Sequence, residues 1–285
     1  MKFVHSVMSS QPKPIVLWCH PRSVSSALER AFMQRPDFKC LHEPYGDPFH
    51  YNLSERLSKR YTDDEIRSYH ADRIGIQYAD VTKELLSSPG DGKRIFSKDM
   101  AQYIVSPDKE EIIVTLENLR KMNHIFLIRS PKLSCPSYYR CCMGDAVKET
   151  NFQDYDPKEA GYRELRILFD YIRKHAVNGS NSVVLIDAET LTANPEGTLK
   201  RVCKEIGVEW DERMLSWKSE KVNEFAKWPG FHKDAENSTG FKAQINGNHD
   251  KDSELPEIVH RTIEDNMPTY EYLKSFALRV EVERT

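Results

Sequence analysis

Residues 14–26 read PIVLWCHPRSVSS and consist of an apolar run followed directly by a polar loop. Because the run from Pro14 to Cys19 does not alternate with polar residues, it predicts a strand that is covered on both faces. A helix is predicted at 26–34, so the loop presents backbone N–H groups and three serine hydroxyls at a helix N-terminus. Arg22 adds a guanidinium that can bind a phosphate with two N–H groups. The stretch predicts an anion-binding loop at the edge of a sheet.

Four more apolar runs predict strands, and helical patterns separate them. The strands are predicted at 38–41, 94–97, 124–128 and 182–186. The helices are predicted at 108–122, 162–175, 195–206 and 255–276, with a left-handed Gly207 after the third and with Pro268 ending or kinking the fourth. Strands that alternate with helices predict an α/β fold with a central parallel sheet flanked by helices. We expect a tail at 1–13 and a single domain at 14–285.

The composition narrows the possible partners. The chain has 285 residues and a net charge of −3, so no global positive field attracts nucleic acid or a membrane. No apolar run approaches the roughly 20 residues of a membrane span or resembles a signal peptide. The six cysteines form no Cys-x-x-Cys pair, which favours reduced thiols over a zinc or redox site. We expect a cytoplasmic protein that binds neither nucleic acid nor membrane, and we expect no metal.

A second candidate anion site follows the strand predicted at 124–128. Arg129 lies directly after this strand, at the edge where open α/β sheets bind ligands. Ser137 comes two turns into the next predicted helix, on the side that faces back to the same edge. An arginine and a hydroxyl so placed can bind a second phosphate. Each segment alone is equally typical of a capped helix beside a surface arginine, so the indication comes from the two together.

The two segments together resemble the sulfotransferases that use 3′-phosphoadenosine 5′-phosphosulfate (PAPS), in particular a branch of microbial small-molecule enzymes. Residues 21–26 match that family's 5′-phosphosulfate loop, roughly P-[KR]-S-[GST]-[ST]-[ST]. Arg129-Ser130-Pro131-Lys132, followed after four residues by Ser137-Tyr138-Tyr139, matches its 3′-phosphate motif. The resemblance extends over most of the chain, through residues 42–44, 97–100, 186–188 and 238–241.

The resemblance implies a P-loop sulfotransferase-like fold and the transfer of a sulfuryl group from PAPS to a hydroxyl or amine of a small molecule. It implies that the 5′-phosphosulfate is bound by Arg22, Ser23, Val24, Ser25 and Ser26, and the 3′-phosphate by Arg129 and Ser137. Charge that develops on the bridging oxygen would be stabilised by Arg22 first and by Lys98 second.

This sequence departs from the family at two positions. Cytosolic members carry a histidine directly after a lysine at the end of the third strand, whereas here Asp99 follows Lys98. We therefore predict that Glu43, kept extended by Pro44, is the general base, with Asp99 as the second candidate; His20, His42 or no side-chain base remain open. Val24 stands where many members have glycine, and because a β-branched residue tolerates positive φ poorly, we expect negative φ there.

The sequence leaves other functions open. A kinase or nucleotide hydrolase is disfavoured because no G-x-x-x-x-G-K-[ST] motif occurs. A non-catalytic PAPS-binding module, or sulfation that only activates a hydroxyl for displacement, would use the same residues. Two stretches without periodicity, 43–61 and 217–253, contain aromatic residues and are predicted to be ordered lids over the acceptor. The sequence identifies neither the acceptor nor the oligomeric state.

Overall fold

The computed structural model describes residues 12–179, 181–242 and 255–280 and is organised around one sheet of five parallel strands. The strands are β1 (Ile15–Cys19), β2 (Phe38–His42), β3 (Arg94–Met100), β4 (Asn123–Ile128) and β5 (Val183–Asp187). Their order across the sheet is β2-β3-β1-β4-β5, which places β1 in the centre. The predicted α/β class with a central parallel sheet flanked by helices is confirmed.

Helices cover both faces of the sheet and fill the connections between its strands. The α-helices are α1 (Ser25–Met33), α2 (Gly46–Tyr51), α3 (Asp63–Tyr69), α4 (Tyr78–Leu85), α5 (Leu116–Leu119), α6 (Pro131–Cys141), α7 (Val147–Thr150), α8 (Tyr162–Tyr171), α9 (Ala188–Ala193), α10 (Pro195–Glu205), α11 (Lys233–Glu236) and α12 (Glu257–Lys274). Short 3-10 helices lie at Ala71–Arg73, Ala101–Tyr103, Gly144–Ala146, Pro157–Ala160, Glu212–Leu215 and Asn223–Lys227, and a π-helical turn at Ile172–Ala176 continues α8. Within the described ranges, no helix has the length and apolar composition needed to cross a bilayer.

The side chains of β1 alternate between two buried layers. Val16 and Trp18 pack into one hydrophobic cluster, whereas Ile15, Leu17 and Cys19 pack into a second. All five side chains are fully buried. Burial on both faces explains why the run contains no polar residue, as the sequence predicted.

Parallel pairing brings the carboxyl ends of all five strands to the same edge. Leu17 of β1 lies opposite Lys98 of β3, and Lys98 lies opposite His42 of β2. On the other side of β1, Ile128 of β4 lies opposite Asp187 of β5. The loops that follow β1, β2 and β4 therefore leave the sheet side by side, at the edge where ligands bind in such folds.

The helix predicted at 108–122 is mostly absent. Glu110 has a φ of 57°, which an α-helix cannot accommodate, and Val105 and Ile112 form an antiparallel bridge across the turn. Only the four residues of α5 are helical, and they begin after Thr115, whose side chain accepts a hydrogen bond from the Asn118 amide at 3.3 Å. The apolar spacing at 112–119 arises because a turn and a short helix present their apolar side chains to the same core.

Both ends of α10 agree with the sequence, whereas α12 does not end where its proline predicts. Asn194 caps α10 by accepting the N–H of the residue three positions later at 3.0 Å, and Gly207 has a φ of 66°, both as expected. Pro268, in contrast, does not end α12, which continues to Lys274. Tyr270 and Leu273 are buried after the proline, and their packing holds the last turns in the helix.

Gly161 gives a test of how closely the chain packs behind the loop that follows β1. Its φ is 74°, and a Cβ atom there would lie 2.8 Å from Gln102 Oε1 and 3.3 Å from atoms of His20 and Pro21. We expect Gly161→Ala to lower the free energy of unfolding by about 2–4 kcal/mol, because left-handed strain and overpacking add. Urea denaturation measures this change.

Gly207→Ala is the matched control. Its φ is also positive, but no heavy atom lies within 4 Å of the added Cβ. Only the backbone strain remains, so the expected loss is about 1–2 kcal/mol. Equal losses in the free energy of unfolding for the two variants would show that close packing behind the loop does not contribute to the effect of Gly161→Ala.

Candidate functional site

The loop after β1 is sharply folded. Arg22 and Val24 have φ values of 62° and 71°, whereas Ser23 between them does not have positive φ. Such alternation of left- and right-handed residues turns successive backbone N–H groups toward one point, which favours an anion there. The expectation of negative φ at Val24 is wrong. A β-branched residue in this conformation costs on the order of 1–3 kcal/mol. Val24 adopts it directly before α1, where the loop turns into the helix.

The serine hydroxyls of this loop have different environments. Ser23 Oγ is fully buried and has no hydrogen-bond partner among the described residues. Ser25 is nearly buried at the first position of α1. Ser26 Oγ lies 2.8 Å from His232 Nδ1. An unpaired buried hydroxyl costs free energy unless a ligand satisfies it, so Ser23 points to a binding site.

The Arg22 guanidinium extends away from its own loop. Its Nε donates to Ser137 Oγ at 2.9 Å, one terminal N–H donates to the Phe231 carbonyl, and another lies 3.3 Å from Asp234 Oδ2. Arg22 and Ser137, predicted to bind different phosphates, are therefore in direct contact. The two predicted anion subsites are contiguous.

Arg129 supports the same loop from the β4 side. Its terminal N–H donates to the Arg22 carbonyl at 2.8 Å, and its backbone N–H donates to His20 Nε2 at 3.1 Å. Its own carbonyl accepts from the Tyr162 hydroxyl at 2.5 Å. Burial, and then the charge of Arg22, lower the pKa of Arg129. Two guanidinium groups held this close favour a bound anion.

A cavity of about 410 Å³ opens where these loops meet. It is lined by residues 22–26, Glu43, Lys98, Arg129 and Ser137. The structure thus brings together every predicted site residue except Asp99.

A buried ion pair closes the β2–β3 side of the cavity. Lys98 Nζ donates to Glu43 Oε1, and the Tyr103 hydroxyl donates to Glu43 Oε2 at 2.9 Å. The expectation that Pro44 keeps Glu43 extended is wrong, because the φ of Glu43 is 48°. Its N–H donates to the Lys98 carbonyl at 2.7 Å, and its carbonyl accepts from Lys227 Nζ at 2.6 Å. These bonds hold the chain in a tight turn after β2.

Each partner keeps the other charged. Burial alone raises the pKa of Glu43, but Lys98 and then His42 lower it well below its usual range. Burial likewise opposes charge on Lys98, and Glu43 outweighs it, so the pKa of Lys98 is raised. Both groups are therefore ionised throughout the physiological pH range.

Asp99 lies on the opposite face of β3 from Lys98, because successive side chains of a strand alternate. Its Oδ1 accepts the Tyr45 N–H at 3.1 Å and its Oδ2 accepts the Ser97 hydroxyl at 3.1 Å. Burial raises its pKa well above the usual range. The Asp99 side chain therefore does not contact that of Lys98, because β3 extends past both residues to Met100 and their side chains lie on opposite faces.

A chain of buried polar groups lies beside the ion pair. His42 Nδ1 is 2.8 Å from Glu29 Oε2, and His42 Nε2 is 3.1 Å from His232 Nε2. The side chains of His42, Glu43 and His232 come within 4.8 Å of one another, a grouping that the sequence did not reveal because His232 is distant in the chain. The facing ring nitrogens already bond each other, and Glu43 binds Lys98, so we assign no metal to this group.

Aromatic side chains also line the cavity. They include Tyr103, Trp228 and Phe231, together with the imidazole of His50. Burial, and then the charge of Arg60, lower the pKa of His50 to about 3, so its imidazole is neutral. The buried Trp228 Nε1 has no acceptor among the described residues. These residues give the cavity apolar walls and an unpaired donor.

The stretches at 43–61 and 217–253 are only in part as predicted. Tyr45 and Phe49 pack in the core, so the first stretch is largely structural. Residues 217–242 of the second cover the cavity and are tied down by Arg30, whose guanidinium donates to the carbonyls of Lys218 and Ala235 at 2.6 and 3.0 Å. Residues 243–253 lie outside the described part of the chain.

The chain is similar to known sulfotransferases in sequence and in fold. A family model described as "Sulfotransferase domain" matches residues 13–277. A sulfotransferase domain from the curacin biosynthetic pathway is 15% identical with a TM-score of 0.51, over 90% of this chain and 98% of that domain. A sulfotransferase from Alicyclobacillus acidocaldarius is also 15% identical with a TM-score of 0.51, over 94% of this chain and 98% of the other. The two structures show a shared fold, as the sequence resemblance predicted.

A curated relative with a different name also matches. The branched-chain-amino-acid aminotransferase-like protein 2 of Arabidopsis thaliana is 24% identical over 259 residues, which is 90% of this chain and 40% of that protein. This chain therefore spans about two fifths of that relative, whose name carries no activity over to it.

The buried ion pair gives a prediction about stability. Lys98→Met leaves the Glu43 carboxylate buried without its cation, so we expect a loss of about 3–5 kcal/mol in the free energy of unfolding. Adding Glu43→Gln removes the unpaired charge and should restore at least about 1 kcal/mol. Because the pKa of Glu43 is lowered and that of Lys98 is raised from their ordinary values of 4.5 and 10.5, the pair's contribution to stability is present between these pH values. It is lost as pH falls below or rises above them.

Lys121→Met tests whether the loss comes from burial. Lys121 and Glu117 form an exposed pair at 2.7 Å on the protein surface. We expect a change within about 0.5 kcal/mol, measured by urea denaturation in the same way. A Lys98→Met loss no larger than the Lys121→Met loss would contradict the importance of the buried pair.

Proposed function

This chain belongs to the sulfotransferase domain family, and on that premise we propose that it transfers a sulfuryl group from PAPS to a hydroxyl of a small-molecule acceptor. The observation that carries the proposal is the cavity of about 410 Å³ in which the anion-binding loop, the Arg129 and Ser137 pair and the Lys98–Glu43 ion pair meet. The basic and hydroxyl side chains of its lining suit a doubly phosphorylated nucleotide. Its aromatic side chains suit an organic acceptor.

The donor's 5′-phosphosulfate would lie at the folded loop. The amides of residues 23–26 and the unpaired Ser23 hydroxyl would bind its oxygens. The acceptor oxygen attacks sulfur, the bond from sulfur to the bridging phosphate oxygen breaks, and its electron pair stays on that oxygen. Lys98 and Arg22 are the cations that would stabilise this charge, and adenosine 3′,5′-bisphosphate is the second product.

The 3′-phosphate would lie between Arg129 and Ser137. Arg22 donates to Ser137 in the free protein, and a phosphate would take the place of that contact as acceptor. Because Arg129 also bonds the Arg22 carbonyl, binding at this subsite would fix the loop that receives the sulfuryl group. Positioning of this kind can contribute several kcal/mol to a transfer reaction.

Glu43 would take the proton of the acceptor. While it is paired with Lys98, its lowered pKa makes it a weak base. A bound phosphosulfate brings negative charge to Lys98 and competes with Glu43 for the ammonium. Weakening of the ion pair would raise the pKa of Glu43 toward the range in which a carboxylate accepts a proton effectively.

Turnover with PAPS tests the proposal directly. The purified protein is incubated with sulfuryl-labelled PAPS and a metabolite extract, and products are identified by the mass of one added sulfuryl group. Tight nucleotide binding without any transfer would instead indicate a PAPS-binding module. A product that has lost its hydroxyl but retains no sulfate would indicate activation followed by displacement.

Arg129→Ala tests the 3′-phosphate subsite. A charge-assisted hydrogen bond to phosphate is worth roughly 1.5–3 kcal/mol, so affinity for adenosine 3′,5′-bisphosphate should fall about tenfold or more. Adenosine 5′-phosphosulfate lacks the 3′-phosphate and should lose less. Arg140→Ala, which removes the same charge from an exposed position at the cavity rim, is the control and should affect both nucleotides equally. If calorimetry shows that Arg129→Ala loses equal affinity for both nucleotides, Arg129 does not bind the 3′-phosphate.

Glu43→Gln tests the base. The amide keeps the shape of the side chain but cannot accept the proton, so turnover should fall about 10²–10⁴-fold while nucleotide affinity stays nearly constant. Asp99→Asn is the matched control on the opposite face of β3 and should retain turnover within a few fold, as a general estimate for a residue outside the reaction. The reverse result, with Asp99→Asn inactive and Glu43→Gln active, would move the base and the acceptor to the other face.

A further inference from the structure

Four side chains form a continuous line of hydrogen bonds from the interior to the phosphosulfate loop. Glu29 Oε2 lies 2.8 Å from His42 Nδ1, and His42 Nε2 lies 3.1 Å from His232 Nε2. His232 Nδ1 then lies 2.8 Å from Ser26 Oγ. Ser26 lines the cavity, whereas Glu29 is fully buried behind it. We call these four residues the Glu29–Ser26 chain.

The Glu29–Ser26 chain can run in only two directions. Burial lowers the pKa of His42 to about 3 and the pKa of His232 well below its usual range, so both imidazoles are neutral. A neutral imidazole has one N–H donor and one acceptor nitrogen. Once the proton of one ring is placed, the three hydrogen bonds therefore fix the protons of all the other members.

The two directions differ at Ser26. If Glu29 is ionised, His42 Nδ1–H donates to it, His232 Nε2–H donates to His42, and the Ser26 hydroxyl donates to His232. If Glu29 is protonated, its O–H donates to His42, His42 Nε2–H donates to His232, and His232 Nδ1–H donates to Ser26 Oγ. Only in the second direction is the Ser26 hydroxyl proton available to an anion in the cavity.

The surroundings of Glu29 favour its protonated form. Its Oε1 is buried without a hydrogen-bond partner among the described residues, which costs more for a carboxylate than for a carboxyl group. Burial raises its pKa well above the usual range. Lys98 and Lys227 oppose this shift, Glu43 and Glu224 add to it, and the Cys40 thiol also faces Glu29.

We propose that Glu29 sets the direction of the Glu29–Ser26 chain, and that the protonated direction is the one in which Ser26 donates its hydroxyl proton to the 5′-phosphate of the bound nucleotide. This rests on the proposed function, because the nucleotide is the anion that selects the direction. Where Glu29 is ionised in the free protein, binding takes up one proton from solvent at Glu29. Affinity then decreases as pH rises, by at most about tenfold per pH unit from this group. Glu29 is a positioning residue that acts through His42, His232 and Ser26.

Nitrogen NMR of the histidine side chains tests the direction, with a chelator present. In the complex with adenosine 3′,5′-bisphosphate we expect the proton on Nε2 of His42 and on Nδ1 of His232. The opposite pair of tautomers in the complex would overturn the proposal. In the free protein, raising the pH should switch both rings together, without either becoming a cation. Rings that titrate independently, or that never switch up to the pH of alkaline unfolding, would overturn it as well.

Glu29→Gln tests the link to binding. Its side-chain amide can donate to or accept from His42 Nδ1 but does not titrate, so this position takes up no proton at any pH. Calorimetry in buffers of different ionisation enthalpy should show a proton uptake in the wild type that rises with pH toward one and exceeds that of Glu29→Gln. Glu117→Gln, which removes an exposed carboxylate that is not among the charges acting on Glu29, should behave like the wild type. Equal uptake in the wild type and Glu29→Gln at every pH would contradict the proposal.

The two proposals fail separately. Absence of nucleotide binding and of turnover would refute the proposed function, while the tautomers of the free protein would still report whether the Glu29–Ser26 chain switches as a unit. Normal turnover with tautomers in the opposite direction would refute only the role of Glu29.

Discussion

The ion pair between Lys98 and Glu43 constrains the rest of the site. Both charges are removed from water, so each needs the other and Glu43 needs the further hydrogen bond from Tyr103. Burial of this kind is costly, and single removal of either partner costs more than the pair contributes. The turn after β2, the length of β3 past Lys98 and the contact of Lys227 with the Glu43 carbonyl all serve to hold these two groups in register.

The ion pair also explains why the neighbouring carboxyl groups of Glu43 and Asp99 differ in pKa. Lys98 and Asp99 follow each other in β3, yet only Lys98 faces Glu43, because a strand alternates its side chains. The carboxyl of Asp99 accepts hydrogen bonds from a backbone N–H and a hydroxyl, and burial outweighs the opposing charge of Lys227. The pKa of Asp99 is therefore raised, whereas that of Glu43 is lowered. The surroundings of these two neighbouring carboxyl groups therefore shift their pKa values in opposite directions.

Local sequence predicted the strands, because buried parallel strands must be continuous apolar runs. It placed the motifs of Arg22 and Ser137 at one edge of the sheet, but it predicted neither the strand order nor the contact between these two residues. Backbone conformation at Val24 and Glu43 did not follow, since the penalty for positive φ is offset by contacts that no local pattern records. The helix predicted at 108–122 failed for the same reason. The contact of His42 with His232 joins residues 190 positions apart and depends on the whole fold.

The cavity is formed by residues that are far apart in the sequence, and this affects how the protein folds during synthesis on the ribosome. The last strand of the sheet ends at Asp187, but Phe231 and His232, which contact Arg22 and Ser26, come more than 40 residues later. A nascent chain can therefore assemble its five strands before the residues that cover the cavity are synthesised. Arg22 and Ser26, in and next to the loop after β1, contact residues more than 200 positions later, so these contacts form only near the end of translation. Contacts this distant in sequence form late, so a ligand present during synthesis would meet the assembled sheet before the cavity is covered.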